Sequence, residues 1–256
     1  MKYIIFSQSE ESFNNQRNHL SDLGVQPEKI VFCDSQQMAR EELFQIGEWL
    51  IFLDADCFLS LEGLRFINLH CQIPSREMSL LFAGRYVNPT PCTYLQRFHN
   101  LMANTWLEHS YHILKQPPML LGGCFALYLA QNFEEKKPRL SFWGGEDKLI
   151  ALNLAHAGVF LQYQPDFFVI HKTNSSWAHF FRKAWLHGTH DVLYCSVEQP
   201  VRVSYLYWIR KIGFSNLSLL PLILTHFFVQ RAARLFQKAL QRNKMYRLEK
   251  NPKIRY

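Results

Sequence analysis

Five side chains in this sequence are of types, and at positions, that could do chemistry together. Asp54 and Asp56 close the apolar run ending Leu53-Asp54-Ala55-Asp56, Glu146 and Asp147 follow Trp143-Gly144-Gly145, and His171 closes the run Phe167-Phe168-Val169-Ile170. Carboxylate and imidazole donors at the ends of strands suit a hard divalent cation, and strand ends are where an open α/β sheet binds ligands. In an Asp-x-Asp turn one carboxylate can take the metal while the other holds a sugar or ribose. A cation bridging a diphosphate would neutralise charge on a departing nucleoside diphosphate. Turn formation is the plain alternative for Asp54 and Asp56, and helix capping for Glu146 and Asp147. Capping does not account for Trp143-Gly144-Gly145. An indole followed by two flexible residues would let a sugar ring stack while a carboxylate acts as general base on its hydroxyl. Gly122 and Gly123, inside the apolar run Met119–Leu127, mark either a close approach of backbone to ligand or a bulge.

Apolar periodicity and turn residues place these groups on elements. Strands are expected at 3–6, 29–33 and 49–53, alternating with helices over Glu11–Leu23, capped by Gly24, and Ser35–Ile46. Such β-α-β-α-β alternation implies parallel strands joined by right-handed crossovers, which sets Asp34 and Asp54 on one edge of the sheet. Further on, the pattern predicts a helix over 61–70, strand over 79–87, an aromatic-rich helix over 94–114 and strand over 119–127. Residues 132–140 read as an exposed connection, and a helix opens at Glu146 and closes at Gly158. Strand then runs over Val159–Tyr163, turns at Gln164-Pro165-Asp166 and resumes into His171. Asn174-Ser175-Ser176 can cap a helix with Trp177, Phe180, Phe181, Ala184 and Trp185 on one face.

A chain of 256 residues with 48% hydrophobic content can bury a large core. Its six cysteines, at 33, 57, 71, 92, 124 and 195, form no CxxC pair, so they read as reduced, packed thiols. The apolar start turns polar by Ser7, too soon for a signal peptide. Residues 202–256 hold twelve Lys or Arg against one acid, so the net charge of +7 belongs to the tail and residues 1–201 are net acidic. Such a tail favours an anionic membrane surface or nucleic acid. Residues 212–230 carry no Asp, Glu, Lys or Arg. Pro221, several polar residues and basic flanks on both sides argue for a shallow re-entrant or interfacial hairpin over a span. After it, Arg231, Arg234, Lys238 and Arg242 form a basic stripe beside Leu235, Phe236, Ala239 and Leu240, a pattern suited to lying on lipid.

Taken in order, Asp34, the Asp54-x-Asp56 triplet, Gly122-Gly123, Glu146-Asp147 and His171 resemble the inverting nucleotide-sugar glycosyltransferases of the GT-A fold, including the bacterial family-2 group. The Trp-Gly-Gly-Glu-Asp string is similar to that of β-1,4-galactosyltransferases and chondroitin-type polymerases. The resemblance covers roughly residues 3–190. It implies an α/β, Rossmann-like, mostly parallel sheet flanked by helices as a catalytic domain over 1–190, with a basic helical, membrane-associating extension over 191–256. It further implies that Asp34 contacts the nucleotide base, Asp54 the ribose or donor sugar, and Asp56 with His171 the Mn2+ or Mg2+ ion. Asp147 would be the catalytic base, Glu146 would orient the acceptor, and Trp143 with Gly122 and Gly123 would form its platform. The expected partners are a nucleotide-sugar donor, a UDP-sugar, a saccharide or lipid-linked acceptor and the cytoplasmic membrane surface, with no nucleic acid. One departure is that only nineteen residues separate Asp34 from Asp54, one helix and one edge strand short of the family pattern. Two other classes compete. A nucleotidyltransferase would need a glycine-rich basic phosphate loop after the first strand, which is missing, and a nucleic-acid-binding module fits poorly with acids in the cleft and unclustered aromatics.

Overall fold

The computed structural model describes residues 1–7, 9–33, 46–72, 78–111, 121, 123–130, 151, 154–173, 176–194, 205–212 and 214–250. They fall into two units, Met1–Phe142 with Glu146–Asn174, and Trp143–Gly145 with Ser175–Tyr256. The first unit is a mixed α/β body. Strands β1 (Lys2–Phe6), β2 (Ile30–Cys33) and β3 (Trp49–Asp54) run parallel, with helix α1 (Glu10–Asp22) between the first two. Ser9 caps α1 through its side chain, and Gly24 beyond its end takes φ 86°, a left-handed conformation that glycine adopts without strain. Phe6 lies opposite both Cys33 and Asp54, so β2 and β3 end level, as the alternation of elements implied.

The remaining strands are β4 (Cys57–Leu59), β5 (Leu80–Val87), β6 (Phe125–Tyr128) and β7 (Phe160–His171), with α2 (Leu61–His70) and α3 (Tyr94–His109) between them. The strand order is β2-β1-β3-β6-β5-β7-β4. β6 runs antiparallel to both β3 and β5, β7 is parallel to β5, and β4 is antiparallel to β7. Among the described residues the sheet is therefore mixed and not mostly parallel, with as many antiparallel as parallel pairings. Side-chain alternation marks a strand but carries no sign of its direction, which pairing partners decide.

Two expected boundaries shift for identifiable reasons. Gly123 lies in a turn before β6, with the Cys124 N–H donating to the Leu121 carbonyl, so the strand begins at Phe125 and continues to Tyr128. The expected turn at Gln164-Pro165-Asp166 is instead an irregularity within one twelve-residue strand. Tyr163 pairs with Ala83 and Phe168 with Arg85, so a single β5 residue faces several in β7. Arg85 Nε donates to the Pro165 carbonyl at 2.8 Å, and a bulge is where a sheet tolerates proline. Gly84, the β5 residue at this shift, lets the strands close up, because a Cβ there would strike the Phe167 carbonyl oxygen and the Cys124 sulfur.

The core lies on the sheet. Phe52 of β3 stacks on Phe125 of the neighbouring β6 at 4.4 Å, and Trp49 of β3 stacks on Phe82 of β5, one strand further on, at 5.2 Å. Each such ring removed from water contributes roughly 1.5–3 kcal/mol. The described cysteines are free thiols, and Cys33, Cys57, Cys71 and Cys124 are buried, in line with packed reduced sulfur.

The second unit is helical: α4 (Trp177–Tyr194), α5 (Tyr205–Ile212), a 3-10 turn (Phe214–Leu219) and α6 (Leu220–Lys250). Among the described residues of the uncharged stretch no hairpin forms. Pro221 sits in the first turn of α6, where its missing N–H has no helical partner to lose, so it opens the helix and does not interrupt it. Asn216–Gln241 is long and apolar enough to cross a membrane by length and composition. Leu222, Ile223, His226, Gln230 and Ala233 form the buried stripe of α6. Gly188 of α4 lets the two helices touch, since a Cβ there would meet the Gln230 carbonyl oxygen and lie 2.7 Å from Ala233 Cβ. The expected single apolar face of α4 divides in two: Phe180 and Ala184 are buried, while Trp177, Phe181 and Trp185 are exposed.

Candidate metal site

The site is built where β3 hands over to β4. The Ala55 N–H donates to the Phe6 carbonyl at 2.8 Å, which continues the β1 ladder one residue past Asp54 and turns the chain sharply. Three residues of strand follow, and Cys57 pairs with His171 at the end of β7. The Lys172 N–H donates to the Asp56 carbonyl at 2.8 Å, locking that register. Helix α1 braces β4 by side-chain bonds, Gln16 Nε2 to the Cys57 carbonyl and His19 Nε2 to the Leu59 carbonyl. A strand this short would be marginal without such support.

This register brings His171 Nε2 within 3.4 Å of Asp56 Oδ2. The histidine side chain is 9% exposed and the carboxylate 43%, so the acid faces solvent and the imidazole backs it from the interior. On the other ring edge, His171 Nδ1 lies 2.6 Å from Asn100 Oδ1. The Tyr86 ring stacks on the imidazole at 4.2 Å with 29° between planes.

Cys57 adds a sulfur to the group, and its Sγ with the Asp56 and His171 donors fits within 4.8 Å. Its role is decided by electrostatics. Burial first, then the Asp56 and Asp54 carboxylates, push the Cys57 thiol well above its usual range. It therefore stays protonated and donates to Asp56 Oδ1 at 3.6 Å. What faces outward is a carboxylate oxygen and an imidazole nitrogen. Two donors each about 2.1 Å from one divalent ion stand about 3.0–3.4 Å apart, so the spacing and the donor types fit a Mn2+ or Mg2+ ion.

Gly123 lies against this turn. A Cβ there would fall 2.8 Å from Asp54 Oδ2, 2.9 Å from Asp54 Cβ and 2.6 Å from Cys57 Sγ, so only glycine allows the backbone to sit on the Asp54 side chain. The Gly123 N–H also donates to the Tyr86 hydroxyl at 3.4 Å.

The structure thus gathers Asp54, Asp56, Gly123 and His171. Asp34, Gly122, Trp143, Glu146 and Asp147 lie outside the described residues. Cys57, Tyr86 and Asn100 complete the described site and were not anticipated. Cys57 adjoins Asp56 and reads as one more apolar residue opening a strand, Tyr86 reads as an ordinary β-former, and Asn100 sits in a helix with no motif around it.

No family model matches the chain, and no curated protein matches it. Among solved structures, it is similar to a mannosyltransferase from Pyrobaculum calidifontis in complex with GDP-Man and Mn2+. The two share 12% identity over 98% of this chain and 81% of that one, with a TM-score of 0.46. At that level of likeness the functional case rests on the residues of this chain.

Proposed function

We propose that the chain is a metal-dependent inverting glycosyltransferase that moves a sugar from a nucleotide-sugar donor, a UDP-sugar, to a saccharide or lipid-linked acceptor. The observation that carries this reading is the Asp56 Oδ2 to His171 Nε2 pair, 3.4 Å apart at a strand end, beside an Asp54 carboxylate held under Gly123. A buried imidazole nitrogen behind an exposed acid is a sound seat for a cation, and the Asp54 carboxylate lies two residues from Asp56 in the same turn. Transfer of this kind builds cell-surface polysaccharide or glycolipid.

Asp56 and His171 would hold Mn2+ or Mg2+, which supplies charge neutralisation for a departing diphosphate. Asp54 would accept hydrogen bonds from the ribose or donor sugar, and Asp34 would meet the base. Trp143, with Gly122 and Gly123, would form the acceptor platform, and Glu146 would orient the acceptor. Asp147 would take the proton from the acceptor hydroxyl as its oxygen bonds to the anomeric carbon. The bond from that carbon to the diphosphate oxygen breaks in the same in-line displacement, so configuration inverts without a protein nucleophile.

Residues 1–190 would be the catalytic domain and 191–256 an extension that touches the cytoplasmic face of a membrane. Exposed Trp177, Phe181 and Trp185 on α4, and exposed Phe228 and Phe236 with Arg231 and Lys238 on α6, supply the apolar and cationic groups such contact needs.

A panel of nucleotide sugars, assayed for hydrolysis and thermal stabilisation with and without Mn2+, tests the class and names the donor. Metal-dependent stabilisation by one donor is expected, and indifference to every donor would sink the reading. Asp147→Asn should abolish transfer, by about 100-fold or more for loss of a general base, with donor and metal binding retained. Full turnover in that variant would remove Asp147 from the chemistry.

A further inference from the structure

The His171 ring has two nitrogens, and which one carries the proton decides what Asp56 faces. Asn100, buried in α3, answers this through its own amide. Its Nδ2 lies 3.4 Å from the Val87 carbonyl oxygen and 2.9 Å from Asn88 Oδ1. A main-chain carbonyl only accepts, so the amide NH2 must point that way and Oδ1 must point at His171. An amide oxygen likewise only accepts, so the 2.6 Å contact requires a proton on His171 Nδ1.

The neutral ring then has no proton on Nε2. Its lone pair faces Asp56 Oδ2, another pure acceptor, at 3.4 Å. Two facing acceptors repel unless a positive charge joins them, either a second ring proton or a metal ion. Stacking under Tyr86 restrains the ring from turning over to present Nδ1 instead.

The helix that delivers Asn100 is itself fixed in register. One turn further along α3, Asn104 Oδ1 accepts from the Tyr86 N–H at 2.9 Å and its Nδ2 donates to the Tyr86 carbonyl at 2.7 Å. These bonds fall beyond Ala83, the last β5 residue paired with β6, so the side chain continues the ladder where that strand stops. At the start of α3, Thr93 and Gln96 form a capping box, and Gln96 Nε2 donates to the Thr173 carbonyl just past His171. The helix is thus tied to both strands whose side chains it positions.

We propose that Asn100 is a positioning residue that holds the Nδ1–H tautomer of His171 and so aims the Nε2 lone pair at a divalent cation shared with Asp56. The idea deepens the metal-site reading above and rests on it. Hydrogen bonds of this outer kind orient a ligand and govern metal affinity by about 10–100-fold.

The test separates the two layers. Long-range 1H–15N correlation of the His171 ring in the metal-free full chain should show a proton on Nδ1; a ring protonated on Nε2 alone would overturn the role of Asn100. Titration with Mn2+ alone, followed by EPR, reads the metal layer independently, and a wild-type chain that takes up no Mn2+ would overturn the metal site. Asn100→Leu should weaken Mn2+ binding about 10–100-fold and mix the tautomers. Asn100→Asp keeps an acceptor facing Nδ1 but sets its second oxygen against the Val87 carbonyl, so it should cost stability yet preserve the tautomer and hold Mn2+ affinity closer to wild type than Asn100→Leu does. Equal loss in both variants would mark Asn100 as structural only and overturn the proposal.

Discussion

Two buried histidines, His171 in the sheet unit and His226 in the helical unit, show how differently burial can be used. His226 lies on α6 with the Phe180 ring 6.0 Å away and His187 at 5.7 Å. Burial first, then the Lys183 and Arg234 cations, lower its pKa to about 4. It is a neutral packing group. His171 is as deeply placed, yet an amide oxygen takes one nitrogen and a carboxylate faces the other. Burial among apolar rings and cations expels a proton from His226, whereas His171 is held by an amide oxygen on one side with its other nitrogen set beside a carboxylate. The surroundings, more than depth, separate a packing imidazole from a candidate ligand.

The largest expected effect comes from acid acting on His226. Its folded pKa of about 4 lies below the ordinary value of 6.5, so between those limits the unfolded chain binds more protons. The His226 contribution is complete above pH 6.5, falls as the pH drops through the window, and bottoms out below pH 4. The loss is about 3 kcal/mol. Urea unfolding at a series of pH values should show this slope in the wild type and a shallower one in His226→Leu. Identical slopes would mean that His226 is not held neutral. Next in size, His171→Leu should weaken Mn2+ binding at least about 100-fold, or about 2.7 kcal/mol, while His226→Leu leaves it unchanged. If both variants bind Mn2+ like the wild type, the distinction between the two histidines collapses. The smallest effect concerns the exposed half of α4. Phe181→Ser should change stability by no more than about 0.5 kcal/mol, yet reduce cosedimentation with anionic vesicles. A large loss of stability would show that this ring packs against protein and not lipid.

Much of the sheet's first half was legible from local pattern. Alternating apolar runs and capped helices placed β1, β2 and β3 parallel, and the turn acids Asp54 and Asp56 followed directly from where an apolar run stopped. His171 stood out for the same reason, as a polar residue closing a strand. What local pattern missed depends on partners far away in the chain. The direction of β6 is set by β3 and β5 together, and the Gln164-Pro165-Asp166 stretch is a bulge because β5 runs alongside it. The apolar face of α4 divides because α6 covers only part of it.

Asn100 illustrates the limit most clearly. Its neighbours in sequence mark it as an ordinary helical residue, and no spacing relates it to His171, seventy-one positions away. The sequence by itself determined which residues can donate to a metal and which segments end where ligands bind, because those are properties of residue type and near-neighbour order. Only the tertiary structure decided that Asp56 meets His171 and that Asn100 sets the ring's proton, because strand register and helix docking join groups that no local rule connects.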